Sequence, residues 1–460
     1  MADVDALRVV PGKPLSGELA GEGELSLPGD KSLSHRAALL GAMAEGVSQV
    51  DNFLLAGVTQ AILDGLNKLG VEWQLQGRRL RVQGLGLAPA ADRARLGAPQ
   101  IDCGSSATSM RLLAGALAAW GLPATLDGSP GLRRRPMGRI VEPLTQMGVP
   151  IQSSDGGAPL LIGRSPRPLR ALDHTLSVAS AQVKSCLLLA ALAGDGETVL
   201  REPGPSRDHT ERMLRAMGVE VHSQEQWLFM GEVGQQHRYY LTRLTPPQRL
   251  QPLQLSLPGD ISAAAFLIVA ALITPGSRLI LRRVGLNPTR TGLLEALRLM
   301  GADLVIRPTG EQSGEPLGDM IVRHSQLRGA EVKGELVVRM IDEFPAFAVA
   351  AAYAEGLTVV SQAEELRFKE SDRITALGQE LGRLGVDFKE MPDGFHIRGG
   401  LPLSGGVVNS HGDHRLAMAL AAAGLAAKAE VVVGGAGIIT QSYPEFAATL
   451  RALGADVHGE

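Results

Sequence analysis

The chain has 460 residues, and its 45 Lys and Arg nearly balance its 48 Asp and Glu, which gives a net charge of −3 at pH 7. This balance argues against a general nucleic-acid-binding protein and against a polybasic protein of a membrane surface. Aromatic residues make up only 3% of the chain, which disfavours a platform that stacks on single-stranded bases. At about 100–200 residues per domain, the length predicts at least two domains.

The two cysteines, Cys103 and Cys186, are too few for a disulfide framework or a Cys-based zinc site, and they fit a reducing compartment. Residues 1–10 carry three charges and no long apolar segment, so we expect no signal peptide. The longest uncharged runs, such as residues 261–277, are shorter than a membrane-spanning helix. These features indicate a cytoplasmic α/β enzyme.

A six-residue segment near the N-terminus occurs twice. Residues 25–30, Leu-Ser-Leu-Pro-Gly-Asp, recur unchanged as residues 255–260, half a chain length later. In both places a Ser follows two residues after the segment, and an apolar helical run then begins. An identity of this length at this spacing indicates that the chain consists of two homologous halves.

A shorter pattern, Leu-x-x-Leu/Met-Gly-Val/Ala, occurs six times, three times in each half. It predicts an amphipathic helix that ends at a Gly in the left-handed conformation and is followed at once by a β-strand. The six glycines are Gly70, Gly148, Gly218, Gly301, Gly385 and Gly454.

A second kind of helix also recurs six times and is apolar on nearly every face, so it must be buried. The six segments are residues 37–44, 112–119, 186–193, 263–273, 347–354 and 416–427. Because both patterns repeat in phase, we predict six units that each pair an exposed amphipathic helix with a buried Ala-rich helix between short strands.

Polar residues stand immediately before these buried helices, as N-caps do. If the helices run parallel, their N-termini open on one side of each domain and form an anion site. We expect Ser109 and Ser262 to act only as caps. Lys31, Arg36 and Lys184 need another explanation, because a cation at a helix N-terminus opposes the helix dipole unless an anion lies between them.

Two further segments are basic. Residues 133–136, Arg-Arg-Arg-Pro, follow a turn-like sequence and on their own are typical of a solvated loop. Residues 367–373 are predicted to start a helix on which Lys369 and Arg373 share one face, with surface ion pairing as the alternative explanation. Residues 207–209 precede another helix and could serve only as a cap. No metal-ligand spacing, phosphate-binding glycine loop or nucleophile-elbow motif is present, so we expect no metal and no cofactor.

Two segments together carry a specific resemblance. Residues 28–36 (PGDKSLSHR) and 367–373 (RFKESDR) resemble the two signature segments of the 5-enolpyruvylshikimate-3-phosphate synthase family. Five shorter segments match the family in the same order: residues 135–138, 180–184, 207–210, 341–345 and 413–415. The likeness extends over essentially the whole chain.

The resemblance implies a fold, a two-domain inside-out α/β barrel with six βαβαββ repeats, three in each domain. One domain would comprise residues 29–257, and the other residues 1–28 together with 258–460. The active site would lie in the interdomain cleft, which would close on the substrates.

The resemblance also implies a reaction, the transfer of the enolpyruvyl group from phosphoenolpyruvate to the 5-hydroxyl of shikimate 3-phosphate, with release of phosphate and without a cofactor. This reaction belongs to the shikimate pathway of chorismate and aromatic amino-acid biosynthesis. Asp342 would be the base on the 5-hydroxyl. Lys31 and Glu370 would transfer protons around the methylene carbon and the departing phosphate.

The substrate-binding residues follow from the same motifs. Those for shikimate 3-phosphate would be Lys31, Ser32, Arg36, Ser180, Ala181, Gln182, Arg207, Asp342 and Lys369. Those for phosphoenolpyruvate would be Lys31, Ala107, Arg135, Gln182, Arg373 and Arg415. We expect a cytoplasmic monomer that has these two small molecules as partners and binds no nucleic acid, membrane or metal.

Residues 55–59 lack acidic residues that are common in the family, and three single positions also depart from its pattern. Ser105 replaces an Asn, which affects the expected packing of the local loop. Gln441 stands where many relatives have a Lys, so we expect one phosphoenolpyruvate contact to be absent. Ala107 replaces the glycine that lies close to the inhibitor glyphosate. Because its methyl group should crowd glyphosate more than the shorter phosphoenolpyruvate, we predict glyphosate tolerance.

Three other functions fit parts of the sequence. The related UDP-N-acetylglucosamine enolpyruvyl transferases usually carry a reactive Cys in the loop before Arg135, where this chain has none. An RNA 3′-phosphate cyclase-like enzyme would need a nucleotide-accepting His and a basic surface. A non-catalytic anion-binding relative would not need Asp342, Glu370 and Lys31 together.

Overall fold

The computed structural model describes residues 5–21, 23, 25–88, 97–230 and 235–459. It divides into two compact units. The central unit consists of Lys31–Leu257 and Gln312–Glu315, and the terminal unit consists of Met1–Asp30, Pro258–Glu311 and Pro316–Glu460. Residues 1–4, part of the N-terminal segment for which no signal peptide is expected, lie outside the described residues.

The chain begins in the terminal unit with two strands, β1 (Ala6–Val10) and β2 (Ser16–Leu19). It then forms the central unit, whose elements are α1 (Lys31–Met43), β3 (Glu45–Asp51), α2 (Gly57–Lys68), β4 (Trp73–Gln76), β5 (Arg79–Leu85), β6 (Gln100–Asp102), α3 (Ala107–Trp120), β7 (Ala124–Asp127), α4 (Pro130–Arg133), α5 (Gly138–Gln146), β8 (Ile151–Ser154), β9 (Gly157–Ile162), β10 (Asp173–Thr175), α6 (Ala181–Ala191), β11 (Thr198–Glu202), α7 (His209–Ala216), β12 (Val221–Met230), β13 (Gln235–Leu244) and β14 (Gln254–Ser256).

The rest of the chain returns to the terminal unit. Its elements are α8 (Ile261–Ile273), β15 (Arg278–Gly285), α9 (Gly292–Leu299), β16 (Asp303–Gln312), β17 (Glu315–Arg323), β18 (Glu331–Val332), α10 (Glu335–Arg339), α11 (Phe344–Tyr353), β19 (Gly356–Val360), a 3₁₀ helix (Glu364–Phe368), α12 (Arg373–Arg383), β20 (Asp387–Met391), β21 (Gly394–Gly399), β22 (Gly406–Asn409), α13 (His414–Gly424), β23 (Val431–Gly434), a 3₁₀ helix (Ala436–Gln441), α14 (Phe446–Ala452) and β24 (Asp456–Gly459).

Each unit contains three four-stranded sheets among the described residues. The strand orders are β14-β3-β5-β4, β6-β7-β9-β8 and β10-β11-β13-β12 in the central unit, and β2-β15-β17-β16, β18-β19-β21-β20 and β22-β23-β1-β24 in the terminal unit. In every sheet the first strand runs parallel to the second, which runs antiparallel to the third. The α/β fold class and the six βαβαββ repeats expected from the sequence are therefore confirmed.

The six predicted apolar helices form the cores of the two units. They are α1, α3 and α6 in the central unit and α8, α11 and α13 in the terminal unit, and all thirteen residues of α8 are buried. Small side chains let these helices approach closely: a Cβ on Gly115 of α3 would lie only 2.2 Å from the carbonyl oxygen of Cys186 in α6. Among the described residues, no helix combines the length and apolar character needed to cross a membrane.

The six predicted helix-ending glycines all adopt the left-handed conformation, with φ between 75° and 100°. They follow the amphipathic helices α2, α5, α7, α9, α12 and α14, and strands β4, β8, β12, β16, β20 and β24 come next. Only Gly accepts this conformation without a steric cost, so the repeated glycine marks each of the six turns from exposed helix to strand.

Candidate active site

The starts of the three buried helices of the central unit lie against one another. Ser106, the N-cap of α3, accepts from the N–H of Ser109 (3.0 Å), and its Oγ lies 3.3 Å from Nε2 of His35 in α1. Arg36 of α1 donates from Nη2 to Oγ of Ser185 in α6 (2.8 Å). The N–H groups and positive dipole ends of these helices therefore share one region, which favours the binding of anions.

Four residues predicted to bind shikimate 3-phosphate lie together at the start of α1. Lys31 and Ser32 are its first two residues and are half-buried, whereas Arg36 is only 3% exposed. Arg36 donates from Nη1 to the carbonyl of Ser32 (2.9 Å) and from Nε to Oγ1 of Thr210 (2.8 Å). Nη1 of Arg207, in the loop before α7, lies 3.5 Å from Oγ of Ser32.

Gln182, on the first turn of α6, joins α6 to α3. Its Nε2 donates to Oγ1 of Thr108 (2.9 Å), and its Oε1 accepts from Nη1 of Arg111. Nη2 of Arg111 also donates to the carbonyl of Pro136 (2.8 Å), the residue after Arg135. Arg111 therefore contacts Gln182, which is predicted to bind phosphoenolpyruvate, and the residue next to Arg135, which is also predicted to bind it.

Three other predicted residues occupy helix starts in the central unit. Ser180 is the N-cap of α6, and its Oγ accepts from the N–H of Val183 at 3.5 Å. Ala181 is the first residue of α6 and is half-buried. Ala107 is the first residue of α3 and is 1% exposed.

The expectation that an external anion explains Lys184 is wrong. Its ammonium group is buried and pairs with the carboxylates of Glu202 (2.7 Å) and Glu211 (2.8 Å). Burial lowers the pKa of Lys184, but the two carboxylates outweigh burial and hold the pKa well above its ordinary value. The charge of Lys184 is therefore balanced within the protein.

The two serines expected to act only as caps, Ser109 and Ser262, are not the N-caps of their helices. Ser106, and not Ser109, caps α3. Asp260 caps α8 by accepting from the N–H of Ser262 (2.8 Å), while the hydroxyl of Ser262 donates to Glu343. The caps lie two or three residues earlier than expected, because the side chain that accepts the bond stands just outside the helix.

The segment 207–209 is more than a cap. Asp208 occupies the N-cap position of α7, but its side chain makes no cap hydrogen bond and pairs instead with Arg212 (2.8 Å). Nδ1 of His209 lies 2.7 Å from Oε1 of Glu315, and both side chains are buried. These contacts fix the start of α7, directly after Arg207.

In the terminal unit, the starts of α8, α11 and α13 meet around the adjacent carboxylates Asp342 and Glu343. Glu343 is fully buried at the N-cap of α11 and accepts from the hydroxyl of Ser262 in α8. Arg415, in the first turn of α13, donates from Nη1 to the carbonyl of Asp342 (3.0 Å), and its Nη2 lies 3.5 Å from Oδ2 of Asp342. The side chain of Asp342 remains 19% exposed, so solvent and small molecules can reach its carboxylate.

Arg373 is completely buried at the start of α12, where three carboxylates surround it. Its Nε donates to Asp413 (2.8 Å), its Nη2 donates to Glu370 (2.8 Å), and its Nη1 lies 3.6 Å from Oδ1 of Asp342. Burial lowers the pKa of Arg373, but these acids hold it well above its ordinary value. Nη1 makes no hydrogen bond to the described residues.

The prediction that Lys369 and Arg373 share one face of a helix is wrong. A 3₁₀ helix ends at Phe368, and α12 begins only at Arg373. Asp372 caps α12 by accepting from the backbone N–H groups of its second and third residues (3.1 and 3.2 Å). Lys369 therefore lies in the segment that connects the two helices, where it is half-buried.

Arg290, which is fully buried in the terminal unit, was not predicted from the sequence. Its Nη1 lies 3.0 Å from Oδ2 of Asp30, and its Nη2 donates to Asp260 (3.3 Å) and to Ser262 (2.7 Å). Nη2 is also 3.8 Å from Glu343. The one signal for Arg290 is the repeated six-residue segment, because its two copies each end in an Asp that needs a cation once it is buried.

The chain offers no reactive thiol. Neither cysteine is in a disulfide, and both are buried. Burial raises the pKa of Cys186 to about 12 and raises that of Cys103 as well. Among the residues that the structure describes, no group of three or more His, Cys, Asp or Glu side chains could hold a metal ion.

Six βαβαββ repeats, with cations and carboxylates at the starts of their buried helices, define the class of inside-out α/β barrel proteins that act on small anions. The family described as EPSP synthase (3-phosphoshikimate 1-carboxyvinyltransferase) matches residues 16–450. The chain belongs to this family, so the family expected from the sequence motifs is confirmed.

Individual relatives agree over almost the whole length. A 3-phosphoshikimate 1-carboxyvinyltransferase of Synechococcus sp. is 45% identical over 457 residues, which are 98% of this chain and 97% of the relative. One of Xanthomonas axonopodis pv. citri is 47% identical over 426 residues, 92% of each chain. The solved structure of an EPSP synthase from Acinetobacter baumannii has a TM-score of 0.82 and 37% identity, covering 98% of this chain and 99% of that one.

Proposed function

We propose that the chain transfers the enolpyruvyl group of phosphoenolpyruvate to the 5-hydroxyl of shikimate 3-phosphate. The hydroxyl oxygen bonds to C2 of phosphoenolpyruvate while C3 takes up a proton, which gives a tetrahedral intermediate. C3 then loses a proton and phosphate leaves C2, which restores the double bond. Family membership supports the reaction, and the observation that carries its assignment to residues is the pair of arginines beside Asp342.

Asp342 is the proposed base that takes the proton of the 5-hydroxyl. Its carboxylate lies 3.6 Å from Arg373 and 3.5 Å from Arg415. Positive charges at these distances favour the ionised carboxylate, which is the form that can accept a proton. Its partial exposure leaves room for the hydroxyl to approach.

Glu370 and Lys31 are the proposed proton donors and acceptors at C3 and at the departing phosphate. Glu370 is held by Nη2 of Arg373 (2.8 Å), and 25% of its side chain is exposed, so one carboxyl oxygen can face a substrate. Lys31 stands at the N-terminus of α1, where helix and ammonium charges together attract phosphate.

The two substrates each carry a phosphate and a carboxylate, so their binding requires several cations and N–H donors. We assign shikimate 3-phosphate to Lys31, Ser32, Arg36, Ser180, Ala181, Gln182, Arg207, Asp342 and Lys369. We assign phosphoenolpyruvate to Lys31, Ala107, Arg135, Gln182, Arg373 and Arg415.

The test is the release of phosphate from the two substrates together. Wild-type protein should release phosphate, and Asp342→Asn should slow the release about 10²–10⁴-fold, the usual loss when a general base is removed. Calorimetry should show that Asp342→Asn still binds shikimate 3-phosphate, since the arginines remain. The exposed Asp387, whose side chain is 74% exposed, supplies the matched control Asp387→Asn, which should act like wild type.

The outcomes separate the candidate functions. Wild-type protein that binds shikimate 3-phosphate but releases no phosphate would be an anion-binding relative. Phosphate release that needs UDP-N-acetylglucosamine instead of shikimate 3-phosphate would establish the other enolpyruvyl transfer. Full activity in Asp342→Asn would reject Asp342 as the base while leaving the reaction in place.

We further propose that Ala107 confers glyphosate tolerance. Its methyl group is 1% exposed at the start of α3, so it cannot move aside without repacking the helix. Ala107→Gly should therefore lower the inhibition constant for glyphosate about tenfold or more, which corresponds to ~1.4 kcal/mol, and should change the KM for phosphoenolpyruvate less. An unchanged inhibition constant would refute this role.

We also propose a monomer in the cytoplasm. Two buried cysteines without a disulfide suit a reducing compartment. Light scattering of the purified protein would measure its mass directly.

A further inference from the structure

Arg111 joins three parts of the central unit but has no assigned function. It lies in the second turn of α3 and is half-buried. Its Nη1 donates to the side-chain oxygen of Gln182 at the start of α6, and its Nη2 donates to the carbonyl of Pro136 (2.8 Å). Pro136 directly follows Arg135, so Arg111 contacts one proposed phosphoenolpyruvate residue and the neighbour of another.

The contact with Arg111 decides which way the amide of Gln182 faces. A guanidinium group only donates hydrogen bonds, so it must meet the oxygen of the amide and not its NH₂ group. The NH₂ group then faces Thr108 and donates one hydrogen to its Oγ1 (2.9 Å). No hydrogen bond among the described residues uses the second hydrogen, which stays available to a ligand oxygen.

We propose that Arg111 is a positioning residue that makes Gln182 a pure donor toward anionic substrate oxygens. Without Arg111 the amide can turn by 180° and present its oxygen, which repels a carboxylate or phosphate. Arg111 acts through Gln182 and through the loop that carries Arg135, and it need not touch substrate itself. The inference rests on the proposed function, because it assumes that Gln182 binds the substrates.

A double-mutant cycle tests the coupling between Arg111 and Gln182. The variants are Arg111→Gln, Gln182→Ala and the combination, each measured by phosphate release for kcat and for the KM of phosphoenolpyruvate. Arg111→Gln alone should lower kcat/KM about 10–30-fold, mostly through KM. In the Gln182→Ala background the same substitution should lower it less than about threefold, because no amide remains to be oriented.

A matched control removes another positive charge of the central unit without touching Gln182. Arg133 ends α4 and pairs with Asp127 (2.5 Å), and 54% of its side chain is exposed. Arg133→Gln should stay within about twofold of wild type. Arg111→Lys, which keeps the charge but cannot reach both Gln182 and Pro136, should fall between wild type and Arg111→Gln, and it serves as the second variant if Arg111→Gln folds poorly.

Different results would overturn the positioning role of Arg111 and the proposed function. Equal losses from Arg111→Gln in both backgrounds, or an equal loss in Arg133→Gln, would overturn the positioning role while the wild-type enzyme remains active. Wild-type protein that releases no phosphate from the two substrates would overturn the proposed function instead.

Discussion

The ring of His35 shows how one buried side chain can fix both geometry and pH dependence. It is 1% exposed in α1, with Nδ1 2.8 Å from the carbonyl of Lys31 and Nε2 3.3 Å from Oγ of Ser106. Burial, together with the charges of Lys31 and Arg36, lowers the pKa of His35 from 6.5 to about 4. The ring is therefore neutral at pH 7 and carries one N–H. Because Nε2 also lies 3.1 Å from the carbonyl of Val58, each ring nitrogen faces a carbonyl acceptor and the neutral ring donates to only one of them.

This lowered pKa predicts a loss of stability in mild acid. Below pH 6.5 the unfolded chain takes up a proton on His35, whereas the folded chain does so only near pH 4. Lowering the pH through this window therefore favours the unfolded state, by about 2 kcal/mol at pH 5. Urea unfolding at pH 7 and pH 5 should show a smaller difference for His35→Gln than for wild type.

The control for His35 is a histidine on the surface. The side chain of His222 is 69% exposed. The substitution His222→Gln should therefore leave the pH dependence of unfolding as it is in wild type. If His35→Gln kept the full wild-type loss between pH 7 and pH 5, titration of this ring would not be the cause.

Long-range partners limited what the sequence could predict at single residues. Lys31 was singled out because it lies at a helix start, which is a local signal, whereas Arg373 and Arg415 were assigned through motifs that resemble the family. The partners of Lys184 are two glutamates on β11 and α7. Those of Arg290 include Asp30 and Asp260, which lie 230 residues apart on two chain segments of the terminal unit. Spacing along the chain carries no information on such pairs, so their charges were misread or overlooked.

Elements were predictable where their signals were local. An apolar stripe followed by a left-handed Gly needs only about eight neighbouring residues, and all six such turns form as expected. The segment 367–373 was ambiguous, because a spacing of four suits both a helix and a loop. The side chain of Asp372 accepts hydrogen bonds from the first turn of α12, so this helix begins at Arg373 and Lys369 lies before it.

The two copies of the repeated segment pair with each other where the chain passes between units. The N–H of Asp30 donates to the carbonyl of Pro258, and the N–H of Asp260 donates to the carbonyl of Pro28, both at 2.9 Å. Arg290 lies against both aspartates. The same six residues thus form a two-fold antiparallel bridge around one buried cation.

Removing Arg290 should therefore destabilise the terminal unit strongly. Arg290→Met leaves Asp30 and Asp260 buried without their cation, a change that costs about 3–5 kcal/mol in comparable buried pairs. Urea unfolding measures this loss. Adding Asp30→Asn to Arg290→Met should recover part of the stability, because one uncompensated charge is then removed.

An exposed pair in the same unit gives the comparison for Arg290. Arg323 pairs with Asp303 at 3.1 Å, and both side chains are more than 40% exposed. Arg323→Met should cost less than about 1 kcal/mol, as exposed ion pairs do. Equal losses from the Arg290 and Arg323 variants would show that the bridge does not depend on its buried cation.

At the scale of the whole molecule, the number of repeats could be predicted from the residues, whereas the return of the N-terminal segment to the terminal unit was expected only from the family resemblance. The six periodic glycines predict six units, and this number does not depend on the order of the strands in the sheets. Strand β1 lies between β23 and β24, and β2 pairs with β15, so the first residues of the chain complete two sheets of the terminal unit. The sequence of a short strand does not by itself indicate with which distant strand it pairs.

The return of β1 and β2 to the terminal unit makes the two units unequal as separate fragments. Residues 31–257 contain every strand of the three central sheets, whereas residues 258–460 lack β1 and β2. Fragment 31–257 should therefore unfold cooperatively on its own, at lower stability because His209 loses its partner Glu315. Fragment 258–460 should not fold alone, since a missing inner strand exposes two edges.

Thermal circular dichroism of the two fragments measures this difference, and a permuted chain supplies the control. Joining residue 459 to residue 5 through a flexible linker, in a chain that runs from 258 to 459 and then from 5 to 30, restores β1 and β2. The permuted chain should regain a cooperative transition because every sheet of the terminal unit is again complete. Cooperative folding of 258–460 without these strands would contradict the argument, and so would a permuted chain that stays unfolded.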